Sequence, residues 1–182
     1  MHSLFDTEPG QLNDAKWSSN DARAKGMLKV AIAQLGSDTI NQKEFAEIVA
    51  FKTITVLMPI VLRDKKYEEE ALLCESSKNL HEAKINIYSI KDKLYAAYTY
   101  AAAADAAANY AAYDAITDAV YAITTVTYSA DTAVVAAAVA AAKAAAAYAN
   151  ATDKYLLIGA NICLEALKEL KSPGCQYLYL CE

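Results

Sequence analysis

Glycine and proline are scarce in this 182-residue sequence, five and three in all, and between Lys91 and Ile158 there is neither. One straight helix over that span would measure about 100 Å at 1.5 Å per residue. That is too long for a compact domain of this size. The chain is therefore expected to turn without its usual breakers, at residues 124–129 ("TTVTYS") and 150–153 ("NATD"), where helix propensity is poorest and Ser129, Asp131, Asn150 and Thr152 offer caps. Histidine is scarcer still: His2 and His81 alone cannot easily supply a metal centre, and the four cysteines, Cys74, Cys163, Cys175 and Cys181, contain no CxxC pair. No P-loop, GxGxxG, HExxH or GxSxG occurs, nor the ExxH pairs of a di-iron bundle. These absences argue against an enzyme and against any cofactor or metal. Glu68, Glu69 and Glu70 are adjacent and read as a solvated helix start, not a catalytic carboxylate pair.

Clustered basic charge is also lacking. The formal net charge is -5, which argues against nucleic acid or an anionic membrane as partner and allows a basic protein. The opening residues are polar, with Asp6 and Glu8 where a basic leader would stand, so the expectation is a reduced, cytoplasmic chain. The apolar run 133–149 is mostly alanine and contains Lys143, so it reads as a helix in water and not as a membrane span.

What is present is helical pattern. Hydrophobic residues make up 55 % of the chain. Residues 1–18 read as an irregular lead, with Pro9 and Gly10, and residues 19–182 as one all-α domain of six to seven helices in a bundle or stacked array. The first helix starts near Ser19 or Asn20, with Leu28, Ala31, Ile32 and Leu35 as its expected apolar face, and stops at Gly36. The second runs from about Gln42 with the stripe Phe45, Ile48, Val49 and Val56. "TITVLMPIVL" is β-branched enough to read as a strand, but a lone strand leaves its backbone unpaired, so a helix kinked at Pro59 is expected. After a charged turn at 63–66, a helix is expected over 67–76, with 79–90 a further helix or its continuation. The closing helix carries Leu156, Leu157, Ala160, Cys163, Leu164, Leu167 and Leu170 and ends before "SPG". The tail "CQYLYLCE" reads as either a last helical turn or an extended segment.

The section 94–151 is rich in alanine and tyrosine. Ala101, Ala104, Ala108, Ala111, Ala115, Ala119 and Ala122 step by three and four, and Ala136, Ala140, Ala144, Ala147 and Ala151 offer a second stripe. Two such helices could pack antiparallel at close range. Tyrosine follows another line: Tyr110, Asp114, Tyr121 and Tyr128 share a face, with Tyr113 and Asp118 beside it. Tyrosine can fill a core edge with its hydroxyl in water, or anchor an interface in which the aspartates suit a basic partner. The threonines keep no eleven-residue ice-binding repeat, and the aspartates are too sparse for a DNA mimic.

The segment "LYAAYTYAAAADAAANYAAYDAITDAVYAI" (94–123) resembles the alanine-rich centre of the Imm5-like family of bacterial immunity proteins. "EFAEIVAFKTITVLMPIVL" and "YEEEALLCESSKNLHEAKINI" are similar to that family's helices before the repeats, and "LLIGANICLEALKEL" to its closing helix, so the resemblance spans about 42–170. It implies a small cytoplasmic protein that binds and neutralises a toxin, or that a mobile element turns against a host defence enzyme, by occlusion without chemistry. The expected contacts are Tyr110, Tyr113, Asp114, Asp118, Tyr121 and Tyr128. Two other roles fit the residues: a self-associating assembly protein joined through its alanine stripes as a homo-oligomer, and a small-ligand binder with a tyrosine-lined cleft.

Overall fold

The computed structural model describes residues 17–64, 66–100 and 152–182. These are all helical or connecting, with six α-helices and no strand among the described residues. The expected turn at 124–129, the first two residues of that at 150–153, both alanine stripes and residues 1–16 lie outside them, while Thr152 and Asp153 already belong to the last α-helix.

Helix α1 (Asn20–Ala33) is capped by Ser19, whose hydroxyl accepts from the Ala22 N–H at 3.1 Å. Its core face is Met27, Val30 and Ala33, not the expected one: Leu28 and Leu35 are about half exposed, at 51 % and 52 %. Both sets satisfy a helical period, so the sequence leaves the rotation open. Packing against α6 and the C-terminal segment chooses between them. Gly36 ends the helix at φ +74°, in the left-handed region where a side chain is strained. A short 3-10 turn (Ser37–Thr39) then leads to Asn41, which caps α2 (Gln42–Lys52) by accepting from the Glu44 N–H at 3.2 Å.

Helix α2 runs through a π turn (Thr53–Leu57) into α3 (Met58–Asp64), which resolves the strand-like "TITVLMPIVL" as helix. Apart from Pro59, the buried residues fall in pairs four apart: Phe45/Ala46, Val49/Ala50, Thr53/Ile54, Leu57/Met58 and Val61/Leu62. A plain α-helix gains about 40° for every four residues and would carry such a stripe round to solvent. The π turn absorbs one residue, the Met58 N–H bonding back to the Thr53 carbonyl, and holds α3 in phase. It also turns Val56 outward, 46 % exposed, against the expectation that it joins the stripe. Pro59 brings no N–H to this region, and the Thr55 hydroxyl donates to the Phe51 carbonyl at 2.9 Å. The 23-residue stretch Gln42–Asp64 is long and apolar enough to cross a membrane, with mean hydropathy 1.9, yet 61 % of its most apolar window is buried among the other helices. It is the axis of the core.

Around that axis, α6 (Thr152–Glu169) packs on α2 and the π turn, while α4 (Glu68–Glu75) and α5 (Leu80–Tyr100) lie against α3, the π turn and α2. In α6 the expected residues Leu156, Ala160, Cys163, Leu164 and Leu167 are buried, and Leu157 is exposed at 39 %. The tail forms a 3-10 helix (Pro173–Cys181) laid on α1. Its junction is tight: Ser172 donates its hydroxyl to the Ala33 carbonyl at 2.5 Å, and a Cβ on Gly174 would stand 2.1 Å from the Ile32 carbonyl oxygen. Only glycine fits there.

Candidate partner-binding face

The predicted contacts Tyr110, Tyr113, Asp114, Asp118, Tyr121 and Tyr128 all lie outside the described residues. The helix that leads into them does not, and it has two faces. Ala83, Ile87, Ile90 and Leu94, spaced four, three and four, are buried against the core, none more than 1 % exposed. Two positions away, about 200° round the helix, runs a second stripe of the same spacing: His81, Ile85, Tyr88, Asp92 and Tyr95. All five are exposed, Ile85 at 56 %, Tyr95 at 52 % and Tyr88 at 36 %.

Flanking bonds fix the rotation of α5. At its start Asn79 accepts from the Glu82 N–H, and Glu82 accepts in return from the Lys78 N–H, both at 2.9 Å. Such reciprocal bonds satisfy the orphan donors of a helix end. Asn86 donates to the Leu73 carbonyl at 3.1 Å and to the Ser77 hydroxyl at 2.9 Å, tying α5 to the end of α4. Lys93 pairs with Glu70 and reaches Glu69 at 3.7 Å, and these pairings raise its pKa, the hydrogen bond to Glu70 foremost. Glu70 is therefore not part of a solvated helix start, as its sequence neighbours imply. It is buried and carries its own cation, which is how a carboxylate is tolerated inside. With the core on one side and these bonds on the flank, the outer stripe is presented in one orientation.

The stripe repeats, at Tyr88, Asp92 and Tyr95, the tyrosine–aspartate grammar of Tyr110, Asp114, Asp118 and Tyr121. Sequence reading started that face at Tyr110 and passed over these three. The signal was the four-three seam of Ala83, Ile87, Ile90 and Leu94, which puts Tyr88, Asp92 and Tyr95 on the exposed side of α5.

Several other polar groups among the described residues hold helices together. Arg63 forks onto Glu75, at 2.5 and 2.7 Å, with its Nε 3.0 Å from Glu68, joining α3 to both ends of α4. That fork holds the Glu75 carboxyl below its ordinary pKa. Tyr155 donates its hydroxyl to Asp64, and Lys154 lies 3.1 Å from the same carboxylate, clasping α6 to α3. Burial first, and Asp64 second, push the Tyr155 pKa up. Cys74 and Cys163 are buried, Cys175 and Cys181 half-buried. Burial raises Cys74 to about 12, far from the range of a reactive thiolate. Among the described residues no group of three or more His, Cys, Asp or Glu is placed to hold a metal ion, and His81 stands on the outer stripe. An open apolar hollow of about 390 Å³ on α1 is lined by Ala24, Lys25, Met27, Leu28 and Ala31. In comparisons with known proteins, no family model, no curated protein and no solved structure matches this chain.

Proposed function

We propose that this chain is a non-enzymatic, immunity-like inhibitor that neutralises a toxin or a defence enzyme in the cytoplasm by covering its working surface. The observation that carries the reading is the outward stripe of α5. Two exposed tyrosines flank an exposed aspartate on the side of the helix opposite its core seam, and bonds to α4 hold it in place. Tyrosine is among the residues most enriched at the hot spots of protein interfaces, which favours a binding role for this exposed face. Tyr110, Tyr113, Asp114, Asp118, Tyr121 and Tyr128 carry the same chemistry further along the chain. The resemblance to the Imm5-like family supplies the kind of target.

The test is capture with the tagged full-length chain from lysates of its host, a competitor or an infecting phage, followed by assay of whatever is bound. The expected result is a stoichiometric enzyme whose activity vanishes in the complex. Replacing Tyr88 and Tyr95 by Ala, or Asp114 and Tyr121 by Ala, should release it while helicity by circular dichroism is unchanged. Recovery of the chain alone as a defined oligomer would overturn the proposal in favour of self-association.

A further inference from the structure

We propose that residues 1–16 dock along the outer side of α1, with Phe5 in the apolar hollow there and the carboxylates of Asp6 and Glu8 against Lys25 and Lys29. The proposal is independent of the partner-binding role above. Three observations carry it.

The first is the hollow. Ala24, Lys25, Met27, Leu28 and Ala31 border about 390 Å³ of open space on a single helix. Leu28 is 51 % exposed there. Lys25 and Lys29 stand exposed beside it, one turn apart, with about 6 Å between their Cβ atoms. This side of α1 is therefore apolar along one edge and positive along the other.

The second is the chemistry of the segment. From Leu4 to Asp14 the charged residues are Asp6, Glu8 and Asp14, with no cation among them, and the large apolar side chains are Leu4, Phe5 and Leu12. Pro9 disfavours the helical conformation at Glu8. In an extended stretch Asp6 and Glu8 project from one edge about 7 Å apart, and Phe5 projects from the other. That matches α1 edge for edge: two carboxylates for two lysines, and an aromatic ring for the hollow.

The third is the anchor. Ser18 donates its N–H to Asp153 at 2.9 Å, and the Trp17 ring lies so close on Gly26 that a Cβ there would overlap it. The preceding segment thus joins the fold beside α1. Gly26 is about 160° round the helix from Leu28, so the segment crosses α1 to reach the hollow. The path is short. Leu28 lies about 13 Å along the axis from Ser19, whereas the stretch from Phe5 to Trp17 reaches up to about 40 Å when extended. A tether of this length holds the segment over α1 at a high effective concentration, so modest ionic and apolar contacts suffice to dock it.

The experiment places photoreactive benzoylphenylalanine at position 5 of the full-length chain, irradiates it in dilute solution and maps the crosslinked residue by mass spectrometry. The expected product is an intramolecular crosslink to residues 24–31, Met27 and Leu28 foremost. Its yield should fall at least about threefold in the double variant Lys25→Glu, Lys29→Glu, and return when Asp6→Lys and Glu8→Lys are added. Both lysines are exposed, so these variants are expected to fold, and circular dichroism verifies it. Crosslinks to any other part of the chain, no crosslink, or a yield indifferent to the lysine reversal would overturn the proposal. Crosslinks between copies would overturn it too, and would put a second chain in the hollow.

Discussion

At the scale of single residues, two buried side chains among the described residues break the rule that interior polar atoms are paired. Gln34 is 4 % exposed, and neither its amide nitrogen nor its carbonyl oxygen has a hydrogen-bond partner; the Thr53 hydroxyl is likewise buried without one. Contrast Ser172, equally buried, whose hydroxyl closes on the Ala33 carbonyl. A buried group without its hydrogen bond carries its desolvation cost uncompensated, so an apolar side chain of the same shape should be better. Gln34→Met and Thr53→Val are each expected to raise stability by about 1 kcal/mol, and Ser172→Ala to lower it by a similar amount. Urea midpoints of the three variants check this. Destabilisation by Gln34→Met or Thr53→Val would mean that the polar atom is satisfied through a buried water. Neither site was legible in the sequence, where Gln34 looks like an ordinary helix end and Thr53 like one of several threonines in a β-branched run.

At the scale of elements, the π turn and Pro59 form a coupled pair. The turn holds one more residue than an α-helix needs, and Val56 is the residue it turns outward. Deleting Val56 should convert Thr53–Leu57 to regular α-helix while keeping Leu57, Met58, Val61 and Leu62 in the core. It should also place the proline within a tight i to i-4 ladder, where its ring and missing N–H cost about 3 kcal/mol. The deletion alone is therefore expected to destabilise by roughly that amount, and deletion combined with Pro59→Ala to be nearly neutral. Such non-additivity is read from a double-mutant cycle of denaturation midpoints; additive effects would show that proline and π turn are independent. This element also marks how far the fold was legible. The cap at Ser19, the stop at Gly36 and the helix over 54–62 were open to local reasoning, because each depends on a few adjacent residues. The face of α6 was legible too, Leu157 excepted, but the rotation of α1, which exposes Leu28 and Leu35, was not. Several phases of α1 satisfy the same period, and only contact with other elements selects one. The outer stripe of α5 was hidden for a related reason: nothing local says which side of that helix is the buried one.

At the scale of the whole molecule, stability should fall more steeply in alkali than in acid. On the acid side, the Arg63 fork lowers the Glu75 pKa, and the Ser18 hydroxyl and N–H lower that of Asp153. The stability from these carboxylates is present above their unfolded values and is lost as pH drops through the folded ones. Glu75 is exposed and Asp153 only half-buried, so solvent screens what each contributes and the decline should be shallow. On the alkaline side the groups are internal. The Cys74 thiol is raised to about 12 from its ordinary 9.0, chiefly by burial, and Tyr155 moves in the same direction. Above about pH 9 the unfolded chain releases a proton from Cys74 that the folded chain keeps up to about pH 12, so unfolding gains with every increment between. One such proton corresponds to about 1.4 kcal/mol per pH unit. Tyr155 adds a second loss starting near its ordinary value of 10.0. Urea midpoints should thus be nearly level from mildly acidic to neutral pH and drop from about pH 9 upward. Cys74→Ala should begin from a lower plateau, having lost packing, yet descend less steeply. Wild-type and Cys74→Ala profiles running parallel through the alkaline range would show that the interior of this helical body does not hold the thiol protonated. The steep arm would then belong to Tyr155 and its clasp on Asp64, which Tyr155→Phe reports directly.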